Sequence, residues 1–234
     1  MMFTIKIADI HVRIRNRYSY TKALCSEYVI EENAVDLEVE ASEEDIAEEI
    51  KTADTEVDAA YAESVCLHRE IAERLWRHDC FLLHSAVIEC EGQGYAFAAA
   101  SGVGKTTHIS LWEKNFGDCV SVINGDKPII RIGEKGILAY GTPWNGKEGR
   151  GENRFSPLRA VCFIERGKEN KIVPISGEEV IFRLFSQVYL PKDAEGAAKT
   201  LDLLDTFVRK VSFFRLSCNM EDEAALVARE AMTQ

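Results

Sequence analysis

Residues 95–114 read YAFAAASGVGKTTHISLWEK, and the rest of the chain is best read outward from them. An apolar run, 95–100, leads into Ser101-Gly102-Val103-Gly104-Lys105-Thr106-Thr107, and a helical stretch follows to about Lys114. A phosphate-binding loop needs small residues, so that successive backbone N–H groups turn inward on phosphate oxygens. It needs a lysine for the outer phosphates, a Ser or Thr hydroxyl for Mg²⁺, and a helix whose N-terminal dipole favours anions. Gly102, Gly104, Lys105 and Thr106 supply these parts in order, and Ser101, Val103 and Thr107 complete the cradle. Ala99 stands where the pattern G-x-x-x-x-G-K-[ST] has its first glycine. The competing reading is a glycine-rich turn that happens to contain lysine; the order strand, loop, helix weighs against it.

Upstream, 80–90 is a second apolar run holding the polar pair His84-Ser85, and Glu91-Gly92-Gln93-Gly94 is turn chemistry. The two runs predict an antiparallel hairpin that feeds straight into the loop. Closed around Gly92 and Gln93, it sets Cys90 opposite Tyr95, Ala86 opposite Ala99 and His84 opposite Ser101. The His84 imidazole then stands at the mouth of the loop. There it can donate to phosphate or titrate near neutral pH and gate proton transfer. The alternative is a hydrogen-bonded strand histidine.

Downstream, 119–123 reads as a buried strand ending in Asn124-Gly125-Asp126. An acid at the end of a strand that follows such a loop is where a metal-binding or base carboxylate is expected; an ordinary Asn-Gly-Asp turn is the alternative. Residues 141–156 form a long polar, glycine-rich loop. In it Trp144, Lys147, Arg150 and Arg154 are candidates to close over a phosphoryl group or hold an acceptor, against the reading of a flexible surface loop. Further strands are expected at 128–132, 137–140, 158–164, 171–175 and 211–218, and helices at 177–188, 194–209 and 220–232. Glu165-Arg166-Gly167 and Asn170 read as structural.

The first part of the chain has a different character. Short strands are expected at 3–7, 12–15 and 35–39. An acidic helix follows over 42–50, with Ser42 as N-cap and Asp45 three residues on. A longer helix spans 55–77, with Val57, Tyr61, Val65, His68, Ala72 and Leu75 as its apolar stripe. The reading is therefore a small α+β region, 1–79, before a larger α/β region, 80–234. Net charge is −11, and the excess is local: residues 31–63 hold fourteen acids and the single base Lys51. A nucleic-acid binder would be basic, so that class is disfavoured. The acidic stretch reads as a solvated helical surface, or as a docking face for a basic partner. No window approaches 18 apolar residues, and the start alternates like a strand instead of carrying a signal peptide; the expectation is a cytoplasmic protein without a membrane span. Seven cysteines, with no C-x-x-C pair and mostly inside apolar runs, read as reduced core residues. Strand spacing of ~3.3 Å per residue puts Cys80 and His84 about 13 Å apart, too far to share one zinc ion.

A hairpin running into such a loop is the arrangement of the HPr kinase/phosphorylase and phosphoenolpyruvate carboxykinase group. The chain resembles that family's kinase domain in Leu83-His84-Ser85-Ala86-Val87-Ile88, Ala100-Ser101-Gly102-Val103-Gly104-Lys105-Thr106-Thr107 and Val122-Ile123-Asn124-Gly125-Asp126. The likeness covers about 80–130 well and continues to about 230 in pattern only. It implies an α/β fold with a mixed sheet and a P-loop kinase core. It also implies ATP and Mg²⁺ as cofactors and phosphoryl transfer to a serine-type hydroxyl of a protein, peptide or small molecule. Carried over residue by residue, Lys105 would contact the β-phosphate, Thr106 the metal, and Asp126 the metal or the acceptor proton; His84 matches the family's active-site histidine. Two departures stand out. The family often has two adjacent acids where this chain has Gly125-Asp126, and its downstream arginine–glycine signature is not recognisable, with 141–154 in its place. The lone acid favours an alternative: an ATP-binding switch or accessory module without turnover, docking a peptide on the first region. Self-association stays open on either reading.

Overall fold

Alternation builds the first sheet. Phe3, Ile5 and Ile7 of β1 (Met2–Ile7) and Ile10, Val12 and Ile14 of β2 (Ile10–Arg15) are buried, and polar residues lie between them. The strands pair antiparallel through Ala8-Asp9, both at positive φ, the backbone of a tight two-residue hairpin. After α1 (Ser19–Leu24), β3 (Val29–Ile30) and β4 (Leu37–Glu40) complete a four-stranded sheet of order β3-β1-β2-β4. The computed structural model describes residues 1–32, 34–100 and 102–234.

Helix α2 (Glu43–Thr52) begins at the expected capping box: Asp45 N–H donates to Ser42 Oγ at 3.0 Å, and Ser42 N–H to Asp45 Oδ2 at 3.3 Å. Helix α3 (Ala59–Ala72) is shorter than its periodicity predicts; Asp58 caps it, and a separate 3₁₀ turn holds Leu75–His78. The expected stripe is also corrected. Tyr61 is 47% exposed, while Glu63 is buried. The Glu63 carboxylate accepts the backbone N–H groups of Arg17 at 2.5 Å and Tyr18 at 3.2 Å, which is what makes a buried acid tolerable.

The second sheet has nine strands: β5 (Cys80–Leu82), β6 (Ala86–Cys90), β7 (Gln93–Ala98), β8 (Val120–Asn124), β9 (Ile129–Gly133), β10 (Gly136–Tyr140), β11 (Phe155–Arg166), β12 (Lys171–Pro174) and β13 (Ser212–Cys218). Its order is β5-β9-β10-β11-β7-β6-β8, with β13 alongside β11 and β12 beyond it. Pairs β7/β11 and β11/β13 are parallel and the others antiparallel, so the protein is a mixed α/β fold with mixed sheets.

The expected hairpin forms, with two corrections. The run 80–90 is not one strand: β5 pairs with β9, β6 pairs with β7 and β8, and the chain breaks at Leu83–Ser85 to change partners. The turn is Glu91-Gly92, both at positive φ, so Cys90 faces Gln93 and Ala86 faces Phe97. The register differs from expectation by two residues, which preserves the faces.

Helices cover both faces of this sheet. On one, Ile109 and Trp112 of α4 (Lys105–Phe116) and Ala224 and Ala228 of α7 (Glu223–Thr233) pack on Ile88, Phe97 and Cys162. On the other, Val180 and Leu184 of α5 (Glu178–Phe185) and Leu204 and Phe207 of α6 (Ala194–Lys210) pack on Val87, Ala96 and Val161. The core of the first sheet runs across residue 79: Ile5, Leu67, Ile71 and Leu75 share a cluster with Cys80, Leu82, Ile129, Leu138 and Tyr140. Six cysteines are buried; Cys119 is exposed, and its thiol meets that of Cys90 at 3.1 Å. Among the described residues, no helix is long and apolar enough to cross a membrane.

Candidate active site

Strand direction explains why distant residues meet. β8 runs antiparallel to β6, and β6 antiparallel to β7. The C-terminal ends of β7 and β8 and the start of β6 therefore share one edge. The glycine-rich loop leaves that edge from β7, Asp126 follows β8, and His84 precedes β6. β11 is parallel to β7 with Phe163 opposite Ala98, so Arg166 arrives at the same edge. Ligand sites in open α/β sheets gather at such strand ends.

In the loop, Gly102 (φ +76°) and Gly104 (φ +130°) hold conformations that side-chain-bearing residues rarely adopt. Val103 N–H donates to Ala100 O at 3.2 Å. Lys105 opens α4, with Thr106 and Thr107 in its first turn, all partly buried. The proposed roles of Ser101, as a loop residue and as the partner facing His84, lie outside the described residues.

Lys105, His84 and Asp126 come together. Lys105 Nζ donates to Ala99 O at 3.1 Å and lies 3.0 Å from His84 Nε2 and 4.0 Å from Asp126 Oδ1. His84 Nε2 is 3.1 Å from the same Asp126 Oδ1. Burial pulls the Lys105 pKa below its ordinary value, Asp126 acting to raise it and Lys127 to lower it further. Burial would push the Asp126 carboxyl up, but the hydrogen bonds from His84 and Lys127 outweigh it and hold the group well below the carboxylate range.

A bracket fixes Asp126. Asn124, fully buried, accepts the backbone N–H groups of Asp126 at 2.8 Å and Lys127 at 2.6 Å on Oδ1, and its Nδ2 donates to Thr142 O and Oγ1. The Asn-Gly-Asp sequence is therefore both a turn and a mount for the acid. Gly125 is required by space, since a Cβ there would lie 2.6 Å from Asn145 O.

Of the four candidates of the 141–156 loop, Trp144, Arg150 and Arg154 are held by partners other than Lys105, His84 and Asp126. Trp144 docks on α3, its Nε1–H donating to Ser64 Oγ at 3.1 Å and its ring centroid 4.7 Å from that of buried His68. Burial, with Lys127 and Arg69 adding to it against Asp126, pushes His68 down to about 3. Lys147 is exposed and makes no ion pair among the described residues. Arg150 pairs with Glu113 of α4, and Arg154 with Glu89 at 2.5 Å and Glu152 at 3.3 Å. These arginines strap the loop to α4 and the hairpin. Its backbone still reaches the acid's turn, with Gly125 N–H donating to Arg150 O at 2.8 Å.

Sequence reasoning passed over Lys127, whose Nζ meets Asp126 Oδ2 at 2.5 Å; its place next to Asp126 was the available signal. Arg166, read from the sequence as structural, reaches the loop carbonyls of Gly102 at 2.6 Å and Val103 at 3.5 Å. Beside them a cleft of about 430 Å³ opens between Ala98–Ala100, the end of β11 and Phe182, Ser186 and Gln187 at the α5 end. Gln187 O accepts the backbone N–H of His84 at 2.6 Å, which ties the cleft to the site.

No family model matches the chain, and no curated protein matches it. Among solved structures, the chain is similar to the Hpr(Ser) kinase/phosphatase from Coxiella burnetii, with 5% identity and a TM-score of 0.37 over 65% of this chain and 99% of that one.

Proposed function

We propose that the chain is an ATP-dependent kinase with a P-loop core, transferring the γ-phosphoryl group of ATP to a serine-type hydroxyl of a protein, peptide or small molecule. The observation that carries this reading is the meeting of Lys105, His84 and Asp126 at the edge where the glycine-rich loop opens α4. The loop amides and Lys105 would hold the phosphates. A hydroxyl on Thr106 and a carboxylate on Asp126 are the hard oxygen donors that suit Mg²⁺, which would neutralise phosphate charge. In the transfer, the acceptor oxygen forms a bond to the γ-phosphorus, the bond to the β-bridging oxygen breaks, and ADP leaves. The acceptor proton passes to Asp126 directly or through His84.

A second reading is an ATP-binding module without turnover. The observation favouring it is that Asp126 is already engaged by Lys127 and His84. ATP consumption with and without candidate hydroxyl acceptors, in wild type and Lys105→Ala, separates the two. Phosphorylated acceptor in wild type alone supports the kinase; tight ATP binding with no product over any acceptor supports the module.

A further inference from the structure

Arg166 bonds backbone oxygen rather than an acid. Its neighbour Glu165 is a carboxylate, yet that group pairs with Arg183 at 2.7 Å and lies 3.8 Å from Arg215. Arg166 instead places Nη2 on Gly102 O at 2.6 Å and Nε toward Val103 O at 3.5 Å. Two successive carbonyls of the glycine-rich loop are thus gripped from one side by one planar fork.

A peptide unit is flat, with the C=O of one residue opposed to the N–H of the next. Turning the carbonyls of Gly102 and Val103 toward Arg166 turns the N–H groups of Val103 and Gly104 the opposite way, into the loop. The Val103 N–H is taken by Ala100 O at 3.2 Å, which closes a turn, and no described acceptor meets the Gly104 N–H. Consecutive inward N–H groups are what an anion-binding concavity is made of. The glycines that permit this conformation also leave the loop entropically free to abandon it.

We infer that Arg166 is a positioning residue which locks the peptide planes of the loop so that, with Val103 held in its turn on Ala100 O, the Gly104 amide faces a nucleotide phosphate. The inference rests on the nucleotide reading above. Arg166 acts from the strand parallel to β7, on the outer side of the loop, and its contacts are to backbone oxygen.

The test uses the full chain and three proteins: wild type, Arg166→Ala and Arg166→Lys. MgATP affinity is measured by calorimetry, amide hydrogen exchange is followed at Val103 and Gly104 without nucleotide, and thermal midpoints are compared. The expected result is MgATP binding about tenfold weaker or more in Arg166→Ala, the scale of a hydrogen bond to a charged group. Exchange at the two amides should be faster and the midpoint nearly unchanged, because the residue is exposed at a strand end. Arg166→Lys should recover part of the affinity, since an ammonium can serve a carbonyl without the fork. Affinity and exchange both unchanged in Arg166→Ala would overturn the inference and leave the nucleotide reading standing. A wild type that binds no MgATP removes both.

Discussion

Lys105 Nζ lies 3.0 Å from His84 Nε2, and that one ring nitrogen also meets Asp126 at 3.1 Å. A single imidazole nitrogen carries either a proton or a lone pair. With the lone pair it accepts from the Lys105 ammonium; with the proton it donates to Asp126. The histidine thus stands between the Lys105 ammonium and the Asp126 carboxylate, and the protonation of this one nitrogen decides which of the two it bonds.

Removing the cation tests the loop. Lys105→Ala should weaken ATP binding by about 1.5–3 kcal/mol, the worth of a charge-assisted hydrogen bond. Calorimetry reads this directly, and unchanged affinity would remove the phosphate-binding assignment.

Thr106 separates metal from phosphate. Thr106→Ala should reduce the Mg²⁺-dependent part of ATP affinity and leave binding in excess chelator nearly unaltered. An equal fall in both would make its hydroxyl a structural group of α4.

Asp126→Asn keeps the size of the side chain and removes its charge. Single-turnover rates with an acceptor should fall by about two orders of magnitude or more, since positioned acid–base groups contribute roughly 10²–10⁴-fold. The substitution also has a pH signature. The folded-state pKa lies below the ordinary 3.8, so the charged acid contributes stability that is fully present above about pH 4 and lost as pH falls toward the folded value. Denaturant melts should show wild type and Asp126→Asn converging below pH 4 and parting above it.

His68 gives an acid-lability window of its own. It is buried neutral with a pKa near 3 against an ordinary 6.5, and His108 behaves alike with a value near 4, both because of burial. The unfolded chain binds protons at these sites first, so stability should be complete above pH 6.5 and decline as pH falls from there toward 3. His68→Gln should lower stability at neutral pH and flatten the decline, read from urea midpoints at pH 4, 5, 6 and 7.

The strand–loop–helix unit and the acid after β8 were legible because each is local: glycine spacing, a lysine at the helix start and a capping acid are written over a few residues. Ser42 and Asp45 show the same at α2. The break at His84 was hidden because Phe81, Leu83, Val87 and Ile88 are all buried; a run that changes partner strands inside a core keeps its apolar signature. The hairpin register was displaced because the positive φ sits at Glu91 and Gly92, and a glutamate does not advertise that conformation. Arg150, Arg154 and Arg166 were illegible for a third reason. Each had several acids and carbonyls to choose from, and the choice of Glu113, Glu89 or Gly102 is made by tertiary proximity alone.

The core shared across residue 79 governs how the molecule can be taken apart. A fragment starting at residue 80 would leave one face of β5, β9 and β10 wet, with Cys80, Leu82, Ile129, Leu138 and Tyr140 stripped of their cover. Trp144 would lose Ser64 and His68, and with them the anchor of the loop beside Asp126. Such a fragment should be recovered as aggregate. The first region should therefore be needed to keep the other half in solution, and removing it is expected to cost solubility together with the loop beside Asp126.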